Sequence, residues 1–285
     1  MTAQVLRYAA FTDDGEGGNP AGVVLDAGSL TDAQMLAIAE AIGYSETAFV
    51  LPEGAVRFFS PVAEVAFCGH ATVATAVALA ERAGPGRLHL VTRAGPVTVD
   101  TRIEDGGLVA ALTSPPTTTR PVEDAVFDRA LKALRWSRDD LDPRYPAHVA
   151  YAGNQHLVLG ARTRETLAGL DYDYPALAAL MAREGWTTAH LFWSENATTF
   201  HARNPFPPGG VVEDPATGAA AAAFGGYLRD LGLVPLPAAI TIHQGQDMGR
   251  PSRLLVHLDA GAETVQVTGH ATRLPISAYD DLEQS

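Results

Sequence analysis

Two short stretches of the chain carry residue types suited to an anionic substrate: Phe67-Cys68-Gly69-His70-Ala71-Thr72 and Pro215-Ala216-Thr217-Gly218-Ala219-Ala220. Each has a carboxylate just upstream, Glu64 in the first and Glu213 with Asp214 in the second, then a glycine and a run of small helix-forming residues. The pattern predicts a helix beginning at each glycine. Glycine lets a ligand approach the backbone closely, and first-turn amides have no partner inside the helix. The positive end of the helix then favours carboxylate oxygens. A third stretch, Tyr44-Ser45-Glu46-Thr47-Ala48-Phe49-Val50, has no carboxylate opposite Glu46 in the second half, around Gly185 to Leu191. If the two halves face each other across a cleft, Glu46 sits beside both helix starts. Partly desolvated, it has a raised pKa and can take up and return a proton. Deprotonating a carbon beside a carboxylate builds charge on its oxygens, where helix-end amides stabilise it.

The elements that must position these residues also come in duplicate. Gly18-Asn19-Pro20-Ala21-Gly22-Val23-Val24-Leu25 is echoed by Gly153-Asn154-Gln155-His156-Leu157-Val158-Leu159, and Arg93 to Val99 more loosely by Gln244 to Met248. Cues in the same order in both halves indicate two copies of one unit. Thr31 with Gln34 forms a capping box for a helix carrying Met35, Ile38 and Ile42 on one face, and Gly43 stops it. Strands are expected at Val5 to Phe11, Gly22 to Leu25, Thr47 to Leu51 and Val56 to Phe59, followed by a small-residue helix from Gly69 to about Arg82. Leu88 to Thr92, Val97 to Arg102 and Leu108 to Leu112 read as a meander, with a hairpin turn at Asp105-Gly106-Gly107. Thr113 to Thr119 reads as a linker. The second half shows helices at Val122 to Leu134, Pro175 to Glu184 and Gly218 to about Leu231 among further strands.

Composition limits the function classes. The 285 residues are 47% hydrophobic and 19% charged, enough for two cores. A net charge of −13 argues against nucleic acid, whose phosphates need a basic surface. No apolar run is long enough to span a bilayer, and no basic region with an apolar core opens the chain, so a cytoplasmic location is expected. Cys68 is the single cysteine, which excludes intrachain disulfides, and the nine histidines show no metal-ligand spacing. Neither a metal nor a cofactor is expected.

The ordered motifs Gly18-Asn19-Pro20-Ala21-Gly22, Ser45-Glu46-Thr47-Ala48-Phe49, Arg57-Phe58-Phe59-Ser60-Pro61 through Glu64 to Cys68-Gly69-His70-Ala71-Thr72, and Glu213-Asp214-Pro215-Ala216-Thr217-Gly218 resemble the phenazine-biosynthesis PhzF-like family. That family is related in fold to diaminopimelate epimerase, and the resemblance covers essentially the whole chain. It implies an α/β fold of two pseudo-symmetric halves, each a mixed or antiparallel sheet wrapped round a central helix, and a homodimer. The lobes would be residues 1–116 with 265–285, carrying the acid/base, and 117–264, carrying the second anion-binding helix start. By the same resemblance Glu46 moves a proton between carbons, while His70 and Asp214 hold or polarise substrate. The amides near Gly69 and Gly218, with Thr217 and Ala219 beside the latter, cradle a carboxylate.

Two departures bear on the reaction. The related epimerases use one cysteine from each half, whereas this chain has only Cys68, with Pro215 or a neighbour at the second position, which disfavours symmetric two-base racemisation. Ala219 stands where the phenazine enzyme has serine, which removes a hydroxyl contact to substrate; Gln155, where the family often has proline, is a milder difference. Plainer readings remain for single residues. Glu46 can be a strand-edge carboxylate, His70 a helix-start residue, Asp214 a helix cap, Cys68 a buried apolar residue, and the Gly-Asn pairs turns. The expected function is a cofactor-independent isomerase of a small carboxylate-bearing metabolite acting through Glu46. The alternatives are an amino-acid epimerase using Cys68 and a carboxylate-binding protein without turnover.

Overall fold

The computed structural model describes residues 4–104 and 106–275. Asp105 of the expected hairpin turn and residues 276–285 of the expected first lobe lie outside the described residues. The chain forms two compact units, one running to Leu112 and resuming at Gly269, the other comprising Thr113–Thr268.

In the first unit the strands Leu6–Thr12, Asn19–Val24, Glu46–Val50 and Val56–Phe59 pair in that order, the middle pair parallel and the outer pairs antiparallel. A parallel pair needs a crossover, and the helix Asp32–Ile42 supplies it. Its ends follow from local chemistry: Thr31 and Gln34 form the expected capping box, and Gly43 closes the helix at φ 68°. Residues 270–273 pair with Leu6–Thr12, and Arg87–Thr92, Gly95–Glu104 and Gly107–Thr113 form the antiparallel meander. The helix Gly69–Ala83 packs against Leu6–Thr12, Asn19–Val24, Glu46–Val50 and Gly95–Glu104, with ten of its 15 residues buried. Its alanine, valine and threonine side chains let the surrounding strands approach closely without large voids or clashes. The Thr72 and Thr75 hydroxyls donate to the carbonyls of Cys68 and Ala71, so the buried helix brings no unpaired hydroxyl with it there.

The second unit repeats this order. His148–Tyr151, Gln155–Gly160, Trp186–Ser194 and Thr199–Pro205 pair antiparallel, parallel and antiparallel in turn, and Ala238–Gln244 and Ser252–Leu258 extend the sheet. Thr118–Pro121 pairs with His148–Tyr151, so the last residues of the expected linker are strand. Asp124–Leu134 and Tyr174–Glu184 cover one face of the sheet through Leu131, Leu134, Leu177 and Met181, which pack with Leu157 and Leu191. The helix Gly218–Asp230 packs against Thr118–Pro121, His148–Tyr151, Gln155–Gly160 and Ser252–Leu258, with ten of 13 residues buried. The fold is therefore mixed α/β, with a sheet wrapped round a central helix in each unit, as the sequence indicates.

Gly226 in that helix marks the closest approach. A Cβ there would stand 2.4 Å from Thr117 Oγ1 and 2.6 Å from Thr117 Cβ. Alanine favours the helical backbone by about 1 kcal/mol, but forcing a methyl into a filled core costs about 1–3 kcal/mol. Because Thr117 must shift from its Cβ outward, the cost outweighs the gain and Gly226→Ala is expected to destabilise by up to about 2 kcal/mol on balance. Urea unfolding, read as a lower midpoint at unchanged slope, checks it.

Candidate active site

Asn19 and Glu46 are the first residues of neighbouring parallel strands, with Ala21 opposite Glu46 in register. Parallel strands begin at the same end of a sheet, so both side chains are presented there. The helix Gly69–Ala83 starts at that end too, and its second residue, His70, meets them. His70 Nε2 lies 3.4 Å from Glu46 Oε2 and 3.4 Å from Ser45 Oγ. On the other edge of the ring, Nδ1 lies 3.2 Å from Asn19 Nδ2. Cys68 Sγ is 3.3 Å from Nδ1 and 3.8 Å from Nε2. The His70 side chain is 7% exposed and that of Glu46 14%, so the pair sits largely out of water yet open to a ligand.

These contacts define proton positions. An amide nitrogen donates, so His70 Nδ1 accepts from Asn19 and the neutral ring carries its proton on Nε2. The hydrogen-bond partner of Nε2 is the Ser45 hydroxyl, and Glu46 Oε2 stands at ion-pair distance from the same nitrogen. Asn19 thereby holds the ring in the tautomer whose proton lies on the side of Ser45 and Glu46.

The two helix starts share a further property. Cys68 and Thr217 are the N-caps of Gly69–Ala83 and Gly218–Asp230, and neither side chain caps its helix; the same holds of Glu123 before Asp124–Leu134. The helices Asp32–Ile42, Arg164–Ala168 and Tyr174–Glu184 are capped by the side chains of Thr31, Thr163 and Asp173. Leaving first-turn amides without a cap keeps them available to an external acceptor.

In the second unit the start of Gly218–Asp230 is held by a chain of buried polar groups. Thr217 Oγ1 donates to Asp214 Oδ2 at 2.6 Å, and Gln244 Nε2 donates to the Asp214 carbonyl at 2.7 Å and to Thr217 Oγ1 at 3.0 Å. Gln244 Oε1 accepts from the Thr217 amide at 3.3 Å and from Asn204 Nδ2 at 3.2 Å. Asn204 Oδ1 in turn accepts from His190 Nδ1 at 3.0 Å. Burial pulls the His190 pKa down to about 4, against the opposing effect of its hydrogen bond to Asn204. The imidazole at the end of this chain is therefore neutral at pH 7.

The structure thus brings Glu46, Gly69, His70 and Cys68 together in the first unit, and Asp214, Thr217, Gly218 and Ala219 in the second. The upstream carboxylates of the two motifs play a different part. Glu64 takes Arg57 on both oxygens, at 2.8 and 2.7 Å, and Arg93 as well; Glu213 takes Arg203 at 2.6 to 3.2 Å. Each is a clamp joining the loop before the helix to the preceding strand, repeated in both units. Asn19, Asn204 and Gln244 carry structure around the helix starts that the sequence reading did not assign to them. The signal at Asn19 is a polar residue opening an otherwise apolar strand, which the adjoining glycine disguises as a turn.

The second clamp is the more buried, Arg203 being 13% and Glu213 5% exposed. Removing one partner of such a pair leaves a desolvated charge, at a cost of about 3–5 kcal/mol. Arg203→Met is expected to lower stability by that amount at neutral pH, and Arg203→Met with Glu213→Leu to restore much of it. Chemical denaturation of both variants checks the pair.

The fold is shared with solved structures outside the chain's own family. A probable proline racemase from Agrobacterium radiobacter K84 matches 97% of this chain and 93% of its own at a TM-score of 0.67 and 14% identity, a likeness of fold alone. The more particular assignment comes from the family model of the phenazine biosynthesis-like proteins, PhzC-PhzF, which matches residues 8–275. The trans-2,3-dihydro-3-hydroxyanthranilate isomerase of Pseudomonas fluorescens is 33% identical over 89% of this chain and 90% of its own. A phenazine biosynthesis protein of the PhzF family from Bacillus anthracis has a TM-score of 0.86 at 25% identity, covering 96% of this chain and 98% of that one. The chain belongs to the PhzF family and is an isomerase.

Proposed function

We propose that the protein isomerises a small carboxylic acid by moving a proton between carbons without a cofactor, with Glu46 as the acid/base. The observation that carries this reading is the Glu46 carboxylate 3.4 Å from His70 Nε2, beside a helix start whose N-cap side chain makes no hydrogen bond to the first-turn amides. The His70 ring, at ion-pair distance, steadies the carboxylate while it is the base. As Glu46 takes the carbon's proton, the amides at Gly69 and His70 stabilise charge on the substrate carboxylate. Return of the proton to a different carbon completes the isomerisation. Thr217, Gly218, Ala219 and Asp214 are the corresponding substrate-binding residues of the second unit.

The geometry supports proton shift over inversion. Epimerisation needs an acid and a base on opposite faces of one carbon, but the ligand atoms of Glu46, Cys68 and His70 all lie within 4.8 Å of one another. A carbon touching Glu46 meets Cys68 from the same side, so the pair suits removal and return on one face.

The Pseudomonas relative supplies the first acid to test, and Ala219, in place of a serine in the phenazine enzyme, makes ring acids lacking a partner for that hydroxyl the next. The decisive experiment follows deuterium uptake from heavy water into such an acid by proton NMR. Exchange that depends on the enzyme and disappears with Glu46→Gln supports the reading; exchange lost on Cys68→Ala but kept in Glu46→Gln supports the epimerase, and saturable binding without exchange supports a binding protein. A hydrogen bond to a charged group contributes about 1.5–3 kcal/mol. The acid is therefore expected to bind about tenfold to a hundredfold more tightly than its amide. Calorimetry on both compounds checks this, and equal affinities would remove the carboxylate seat.

A further inference from the structure

The grouping of Glu46, Cys68 and His70 has a second chemical meaning. No pair of them has metal-ligand spacing in the sequence, yet the fold gathers a carboxylate oxygen, an imidazole nitrogen and a thiol sulfur within 4.8 Å of one another. From these positions we propose that the site is also a binding site for a borderline-soft divalent cation of the zinc type, and that occupation by the cation shuts the site off.

Three observations carry it. The first is ligand type. Carboxylate, imidazole and thiolate are the donors tetrahedral zinc takes, and a thiolate selects against the hard cations calcium and magnesium. The second is spacing. With metal–ligand bonds of about 2.0–2.3 Å, ligands of a tetrahedral centre stand about 3.3–3.8 Å apart. His70 Nε2 is 3.4 Å from Glu46 Oε2, an edge already of the right length, whereas Cys68 Sγ, 3.8 Å from Nε2 and 3.3 Å from Nδ1, lies beside the ring and reaches a cation on Nε2 by turning about its Cα–Cβ bond. The remaining edge, Glu46 to Cys68, is at most 4.8 Å and closes by rotation of the carboxylate. The third is charge. Binding releases the thiol proton to solvent, and a thiolate and a carboxylate then neutralise a dication, which a largely buried site requires.

The ring proton must move as well. At rest it sits on Nε2; a cation on Nε2 sends it to Nδ1, where the Asn19 amide accepts it after turning its oxygen inward. Three protein ligands leave a fourth position open to water. The bound cation takes the Glu46 lone pair on which proton abstraction depends, so it inhibits; that consequence, unlike the binding, rests on the function proposed above.

The test separates the two. The metal-free protein is titrated with cobalt(II), which reports a four-coordinate thiolate site through intense visible bands and a near-ultraviolet sulfur-to-cobalt charge-transfer band. Zinc is then added in competition. One equivalent of cobalt per chain is expected to develop both features and zinc to abolish them. The charge-transfer band is expected to be absent in Cys68→Ser and Cys68→Ala, and the affinity to fall at least about tenfold in His70→Gln and in Glu46→Gln. Circular dichroism and melting establish that each variant is folded. A wild-type protein that melts cooperatively and shows no charge-transfer band overturns the site, as does a band that survives in either folded Cys68 variant. Deuterium exchange followed in the same samples is expected to fall in proportion to cobalt bound. Full exchange by fully loaded protein overturns the inhibitory role, whereas a wild type that binds cobalt but never exchanges overturns the isomerase reading alone.

Discussion

Glu46→Gln is expected to lower the rate of proton exchange into a bound acid by about 10²–10⁴-fold while the protein stays folded and still binds the acid. The size follows from the role. Glutamine keeps the shape and the place beside His70 Nε2, 3.4 Å away in the parent, but it cannot take up a carbon-bound proton at neutral pH. An interaction made only as the proton moves appears in kcat and leaves ground-state binding nearly unchanged. His70→Gln makes the complementary case. It removes the ring beside the carboxylate but not the base, so exchange should fall less. Single-turnover exchange in heavy water at several pH values, set beside calorimetric affinities, separates the two. Equal losses in both variants, or weaker binding without slower exchange, would mean that Glu46 binds and does not catalyse.

How much of this the sequence discloses depends on the range of the forces. Thr31 with Gln34, and Gly43 after Ile42, fix a helix through contacts within one turn, so both ends can be read directly. Gly69 and Gly218 are legible for the same reason, each standing between a loop and a run of small residues. What is not legible is long-range pairing. Asn19 meets His70 across 51 positions, and only the packing of the helix Gly69–Ala83 on the strand Asn19–Val24 brings them together. Glu64 and Glu213, which read as part of an anion device, are claimed by Arg57 and Arg203 through strand pairings that no local pattern announces. Thr118 and Thr119 have linker composition, yet an unpaired sheet edge recruits them as a strand. The chain Asn204–Gln244–Thr217 likewise joins three elements whose polar residues look unrelated in sequence.

The second large effect concerns acid stability, and its source lies in the core of the second unit. His156 and His190 sit on adjacent parallel strands, each fully buried, with Nδ1 paired to Thr188 Oγ1 at 2.8 Å and to Asn204 Oδ1 at 3.0 Å. Among the described residues, Nε2 of neither ring has a hydrogen-bond partner. Protonating either ring would strand a charge in a low-dielectric interior, His190 lying against Phe192 and Phe224. Burial, with the neighbouring His190 adding to it, pulls His156 down to about 3; burial pulls His190 down to about 4. Both values lie below that of an unfolded histidine, about 6.5. Below that pH the unfolded chain binds protons that the folded chain refuses, so stability falls with pH, and above it the contribution is present in full. Each ring should remove about 1.4 kcal/mol per pH unit between about pH 6 and pH 4. His148, also lowered by burial, adds in the same direction. Carboxylates paired in the fold contribute only nearer their own lower range, so the interval from about pH 6.5 to 5 isolates the histidines. Urea midpoints across that interval are expected to drop steeply, and His156→Leu or His190→Phe, whatever each costs at pH 7.5, to flatten the slope by about 1.4 kcal/mol per unit. A slope unchanged in both variants would mean that these rings accept protons without unfolding the core around them.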